Sequence, residues 1–337
     1  MTLQGIGKTE SSRKLLILVA AFAAVYIVWG STYLGIKYAI ETLPPFLMAG
    51  SRFLIAGSIL FLWAKSSKDY ETPRWEHWRT SIIVGTLLLL GGNGCVVFAQ
   101  HYIPSSLAAL LVATEPLWIV VLGWLWLKGQ RPNWKVALGL LLGFAGVWML
   151  ISGRPAVAAS ATGWGQWIAI IAIICGAFSW AAGSIYGLRA SVPKSSILTA
   201  GMQMLSGSIS LLLVGLFRGE LSTFEPSAVS MNSWLGFGYL VVFGSLIGFT
   251  AYSWLLKNAR PSMVATYAYV NPVIAVIVGW LIAGESMTGQ MLIGAGIVVG
   301  SVVLITSQNT REPEATAEDI HGSVSPARSG KAISASA

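Results

Sequence analysis

The stretch Ala113-Thr114-Glu115-Pro116-Leu117-Trp118 sets a carboxylate and a proline in the middle of an apolar run. Tyr269-Val270-Asn271-Pro272-Val273-Ile274 repeats the arrangement with an amide in place of the acid. Neither pair suits the centre of an ordinary lipid-spanning helix. Proline removes one helix hydrogen bond and frees the carbonyl four residues earlier, here those of Val112 and Ala268. At membrane depth, freed backbone groups are tolerated only against protein or a water-filled cavity. An ionisable side chain there marks a substrate or ion path. The competing explanation is a packing kink, with Glu115 bonded to a neighbouring helix.

The rest of the chain shows why the membrane is the right frame. Hydrophobic residues make up 55% of the 337, charged residues only 10%, the mean hydropathy is +0.71 and there are 15 Trp. Soluble domains carry about a quarter charged residues. The net charge of +8 does not indicate nucleic acid, because the basic residues sit in short loops between apolar segments and not on an exposed face. Apolar runs of near-spanning length fall at about 15–38, 44–64, 80–102, 104–126, 134–151, 164–188, 195–217, 234–256, 261–282 and 287–307. These ten predict an all-α polytopic membrane protein, preceded by a segment at 1–14 and followed by a polar, disordered tail at 308–337. Pro44, Pro104 and Pro261 stand at or near segment starts, where a missing N–H costs nothing. The first segment is too long for a signal-peptide core and lacks a cleavage site, so it stays as a helix.

Loop charge sets an expected direction. Seventeen Lys and Arg lie on the side of the N-terminus, against Arg154, Arg218 and Lys37 on the other. The positive-inside rule then puts both termini in the cytoplasm of an inner-membrane protein.

The two opening stretches belong to a repeat. Glu115-Pro116 falls on Asn271-Pro272 at an offset of 156, and Gly123-Trp124 on Gly279-Trp280; earlier, Trp29 falls on Trp180 and Ala49-Gly50 on Ala200-Gly201 at an offset of 151. The copies are 15–151 and 164–307, with five spans each. Five is odd, so the second copy is inverted relative to the first. Inverted repeats are a transporter design, with binding near the midplane and alternating access by rocking of the halves around a central cavity. Glu115 lies about 16 Å into its span at 1.5 Å per residue, and Asn271 reaches a similar depth from the opposite face.

Candidate substrate-binding residues follow from depth and chemistry: Trp29, Thr32, Arg52, Asn93, Glu115, Trp180, Tyr186, Tyr267 and Asn271, with Pro116 and Pro272 as hinges. Arg52 lies about 12 Å deep, where it either pairs with Glu115 or snorkels to headgroups. If the two pair, Glu115 stays ionised; if not, proton coupling becomes open to it. Inversion places Trp29 and Trp180 at opposite ends of one cavity. Tyr267 and Tyr269 lie too deep for interface anchors, and Asn93 and Gln203 offer amides to substrate or to a neighbouring helix. Gly139-x3-Gly143 and Gly296-x3-Gly300 predict close helix contacts, between halves or between protomers of a homodimer. Cys95 and Cys175 read as small buried hydrophobes.

Four stretches carry a family resemblance: YIVWGSTY at Tyr26–Tyr33, FLMAGSRFLIAG at Phe46–Gly57, GGNG at Gly91–Gly94 and GSIYG at Gly183–Gly187. In this order they resemble the drug/metabolite transporter superfamily, EamA type, over nearly all of residues 15–307. The resemblance implies ten helices around a cavity, the fifth and tenth peripheral, and export of small metabolites or drugs.

Other chemistries find little support. GIGKTE at Gly5 lacks the leading glycine of a phosphate loop, with Thr2 in its place, and GAGIVVG at Gly294 lies inside a span with no strand before it. No GxSxG or HExxH occurs, and His77, His101 and His321 are scattered, so no metal or cofactor is expected. The leading expectation is a secondary exporter of small amphipathic metabolites, amino-acid-like or drug-like. An uptake permease of the same fold is the alternative, and a receptor or membrane-embedded enzyme is a weaker one.

Overall fold

A computed structural model describes residues 3–68, 70–103, 105–127, 133–152, 164–283 and 288–307. Among them are ten hydrophobic helices and no strand. The first repeat contains α1 (Leu3–Ala39), α2 (Pro45–Lys65), α3 (Trp75–Ala99), α4 in two pieces (Ser105–Val112 and Glu115–Leu127) and α5 (Trp134–Ser152). The second contains α6 (Trp164–Arg189), α7 (Ser196–Phe217), α8 (Met231–Asn258), α9 in two pieces (Pro261–Val264 and Tyr267–Ala283) and α10 (Gly289–Ser307). Eight are long and apolar enough to span a bilayer, while the apolar stretches of α5 and α10, Trp134–Met149 and Gly289–Ile305, are shorter. Pro104, the 152–163 connection beyond Ser152 and the tail at 308–337 lie outside the described residues.

Packing swaps elements between the repeats. Helix α1 lies against α8 and α9, and its counterpart α6 lies against α3 and α4. The equivalent helices α2 and α7 pack on each other, as do α5 and α10. Each half therefore buries its neighbour's inner helices. The main apolar cluster joins Val25, Phe53, Leu88, Met204, Phe249 and Tyr267 from six helices. A second, around Tyr269, Leu140 and Val298, holds the α5–α10 pair to one side.

Large apolar side chains also cover much of the outer surface. Leu62, Trp63, Trp148, Trp164 and Phe217 are exposed, which in water would be an aggregation face and in lipid is a solvated one. That corrects the expectation for the cysteines. Cys95 is half-buried but Cys175 is exposed, because an apolar side chain in a bilayer needs no core. The glycine patterns also divide. A Cβ at Gly139 would meet Ile305 at 2.7 Å and one at Gly143 the Tyr269 ring at 2.9 Å, so α5 uses its pattern within the chain; Gly296 and Gly300 meet nothing within 4 Å.

Both third helices are locally wound as π-helix, at Thr86–Gly94 in α3 and Leu240–Phe249 in α8. Both fourth helices are broken. The breaks fall at Thr114 and Thr266 and not at the prolines: each threonine hydroxyl donates to the carbonyl three residues back, Leu111 at 2.7 Å and Met263 at 2.6 Å. Such back-bonding draws the chain off the helical ladder. Pro116 follows its break directly, but Pro272 sits inside the continuous helix Tyr267–Ala283. The break in α9 thus lies at Ala265–Thr266, six residues before Pro272, where the Thr266 hydroxyl is also tied to Tyr26 at 2.6 Å.

Candidate functional site

A cavity of about 90 Å³ lies where the two repeats meet. Helix α1 contributes Trp29, Thr32, Tyr33 and Ile36; α2, Arg52 and Phe53; and the two π segments, Gly92, Asn93, Gly244 and Phe249. The broken helices add Glu115, Tyr267 and Asn271, and α6 adds Ala177 and Trp180. π-helical turns widen a helix and recur at functional sites. Here they turn two glycine-rich faces toward one space.

Glu115 is 2% exposed and heads the helix piece Glu115–Leu127. The hydroxyl of Tyr267 donates to its Oε2, while Oε1 has no partner. A helix N-terminus contributes about 0.3–2 kcal/mol to a nearby carboxylate, and one hydrogen bond to a charged group about 1.5–3 kcal/mol. Desolvation costs several kcal/mol per ion, so the carboxylate is only partly compensated. Arg52 is 3% exposed, donates from Nη2 to Asn93 Oδ1 at 3.2 Å and stacks on the ring of Phe53 at 4.1 Å. Its Nε and Nη1 have no partner. No ion pair within 4.0 Å joins Arg52 to Glu115; Arg74–Glu71 is the one pair among the described residues. Two under-satisfied ionisable groups, Arg52 and Glu115, thus border the same small space without pairing with each other.

Aromatic rings fill the region between. Trp29 and Trp180 meet edge to face at 5.5 Å, Tyr252 lies 5.1 Å from Trp29, and Tyr267 lies 4.9 Å from Trp29. The two tryptophans therefore do not close opposite ends of the cavity, as expected from inversion. Both reach the centre because each is seated on a glycine of the other repeat. A Cβ at Gly92 would overlap the Trp180 ring, and one at Gly248 the Trp29 indole. The Trp29 Nε1 further donates to the Gly244 carbonyl at 3.1 Å, in the α8 π segment.

The comparisons with known proteins fit this arrangement. The model of the EamA-like transporter family matches residues 15–152 and again 167–307. The chain belongs to this family. Among its EamA relatives, the uncharacterized inner membrane transporter YedA of Escherichia coli (strain K12) is 38% identical over 296 residues, 87% of this chain and 92% of that protein. The uncharacterized transporter YvbV of Bacillus subtilis (strain 168) is 28% identical over the same shares of both chains. A crystal structure of a protein superposes with a TM-score of 0.68 over 89% of this chain and 99% of its own, at 22% identity, which speaks for the fold alone. Membership and the relatives' names make this EamA chain a membrane transporter, multi-pass and of the inner-membrane type.

Of the nine substrate-binding candidates, eight border the cavity: Trp29, Thr32, Arg52, Asn93, Glu115, Trp180, Tyr267 and Asn271. Tyr186 does not; it is half-buried against the main apolar cluster. Six residues beyond Trp180, at about 100° per residue, it points to another face of α6. Asn271 has a structural partner as well: with its amide oriented to donate, the nitrogen lies 3.0 Å from the Tyr267 carbonyl and 3.2 Å from that of Tyr26. Tyr269 is buried away from the cavity, donating to the Leu140 carbonyl at 3.3 Å. Ile36 and Phe249 border the cavity without a signal read from the sequence. Helical spacing from Trp29 (i+7) points to the first of them. Among the described residues, no His, Cys, Asp and Glu cluster could hold a metal ion.

Proposed function

We propose that this EamA protein is a secondary transporter that exports small amphipathic metabolites of amino-acid-like character by alternating access. The observation that carries this reading is a pair of unmatched ionisable groups: Arg52 Nε and Nη1, and Glu115 Oε1, lie without partners at one cavity. A substrate with a carboxylate and an ammonium would meet Arg52 with the first and Glu115 with the second. Its apolar part would lie among Trp29, Trp180 and Tyr267, whose faces also suit a cation. Substrate then supplies what the protein's own helix end and tyrosine leave unmet.

The cavity, about 90 Å³, is well below the roughly 300–1,000 Å³ of drug-sized sites, so the halves must open further to admit an amphipathic substrate. Drug-like substrates require a larger opening of the halves than a small metabolite does. Phosphorylated substrates fit poorly, since Arg52 is the one cation among the described residues that line the cavity. Cytoplasmic termini follow from the loop charge count, and Glu115 is the group through which a proton gradient would act.

A growth-rescue screen tests the assignment. Cells producing the wild-type chain are challenged with toxic amino-acid analogues and with cationic drugs, beside cells producing Glu115→Gln or Trp29→Ala. Export predicts protection that both substitutions abolish, and uptake predicts sensitisation instead. Protection that persists in both variants contradicts the site.

A further inference from the structure

A second cavity, of about 400 Å³, lies at the end of the bundle where α6 stops and α7 begins. Its deep wall is Ser184, Gln203 and Ser253, and its rim carries Lys194 and Lys257. It is related to the main cavity by the repeat. Thr32, Tyr33, Ile36 and Arg52 border the main cavity; adding the offset of 151 (180 − 29) gives Gly183, Ser184, Gly187 and Gln203, all on the second. An inverted repeat puts such positions at opposite depths on one axis.

The boundary between the two spaces is equally defined. Along α6, Ala177 and Trp180 face the main cavity and Gly183 and Ser184 the second. Along α8, Phe249 faces the main cavity and Ser253 the second. Tyr252, 1% exposed, stands between and closes a ring of hydrogen bonds. The Trp180 Nε1 donates to the Tyr252 hydroxyl at 2.9 Å, and Ser184 Oγ donates to the Trp180 carbonyl at 2.7 Å. Ser184 has one proton, so the Tyr252 hydroxyl is the donor in its 2.7 Å contact with Ser184 Oγ. Tyr252 also packs on Tyr267 at 5.8 Å, and Tyr267 holds Glu115.

We infer that the second cavity is the cytoplasmic antechamber of the transport path, which receives the polar head of a carboxylate-bearing substrate, and that Tyr252, Trp180 and Ser184 form the septum a substrate must open to reach Arg52 and Glu115. This deepens the transporter reading and rests on it. The antechamber side follows from its rim: Lys194 and Lys257 belong to the lysine-rich face of the chain. The Lys257 ammonium is held by the carbonyls of Pro193 and Lys194 and by Thr199 Oγ1, at 2.7, 3.3 and 3.1 Å, so its charge stays at the mouth of the cavity. Gln203 supplies an amide deeper in. Loss of the Tyr267–Glu115 bond, when a substrate cation reaches Glu115, frees the ring that backs Tyr252, which links occupancy to opening.

Thiol labelling of the full chain in oriented membrane vesicles tests the proposal without any substrate. With Cys95 and Cys175 replaced by serine, Gln203→Cys is expected to react with a membrane-impermeant maleimide from the cytoplasmic face only. Thr32→Cys should react from that face on the order of tenfold more slowly, since the septum's hydrogen bonds must first open. Adding Tyr252→Phe or, separately, Ser184→Ala should raise the Thr32→Cys rate several-fold and leave the Gln203→Cys rate unchanged. Reaction of Gln203→Cys from the outer face overturns the antechamber. An unchanged Thr32→Cys rate in both septum variants overturns the septum. Labelling as expected in a chain that moves no tested amino-acid analogue would instead count against the proposed function alone.

Discussion

The two repeats place different chemistry at equivalent positions. Where the first carries Arg52 and Glu115, the second carries Gln203 and Asn271, at the offsets of 151 and 156. Where the first lines its space with Thr32, Tyr33 and Ile36, the second has Gly183, Ser184 and Gly187. The cavity on the first set is about 90 Å³ and that on the second about 400 Å³. Backbone architecture is shared down to the π segments, with the break in the fourth helix one turn earlier in the second copy, so side-chain charge and bulk account for much of the difference. In the proposed reading, charge makes one half-shell a receptor, and small residues leave the other as a passage.

The largest effects should come from erasing the charge asymmetry. Arg52→Gln and Glu115→Gln each remove a charged hydrogen bond to substrate, about 1.5–3 kcal/mol, so transport efficiency should fall about 10- to 100-fold in uptake or efflux assays. The equivalent neutral changes, Gln203→Ala and Asn271→Ala, should cost less than either. Equal losses in both repeats would erase the distinction drawn here. Next come the two seats of the tryptophans. Gly92→Ala and Gly248→Ala force a Cβ onto Trp180 and Trp29 respectively, and overpacking costs about 1–3 kcal/mol. Thermal unfolding in detergent should show similar losses for the two, because these seats are the part of the design the repeats share.

Much of the fold was legible because it rests on hydropathy and an internal offset, both of which survive in a single sequence. The cavity lining was legible where one residue was chemically out of place, as with Arg52, Glu115, Asn93 and Asn271. What could not be read were features set by contacts across the repeats. Trp180 and Trp29 meet at the centre because of Gly92 and Gly248, 88 and 219 residues away along the chain. Tyr252 carries no sequence signal as a septum; only its bonds to Trp180 and Ser184 reveal it. The breaks in α4 and α9 were attributed to proline, but the threonine hydroxyls two and six residues earlier set them.

That last distinction gives a smaller test. Thr266→Val loses the bonds to Met263 and Tyr26 and should lower stability by about 1 kcal/mol per bond, read by thermal unfolding. Pro272→Ala, inside a continuous helix, should cost less. A larger loss at Pro272 would return the hinge to the proline. The smallest effect belongs to Tyr186→Phe. Off the cavity, it should change stability by no more than about 0.5 kcal/mol and leave apparent substrate affinity unaltered in the same transport assay.

The most direct test of the two-charge receptor is calorimetric titration of the purified chain with one amphipathic amino acid and its two truncated analogues, the amine lacking the carboxylate and the acid lacking the ammonium. The wild type should bind the intact zwitterion most tightly. Arg52→Gln should no longer distinguish it from the amine, and Glu115→Gln should no longer distinguish it from the acid. Retention of full discrimination by both variants would contradict the account.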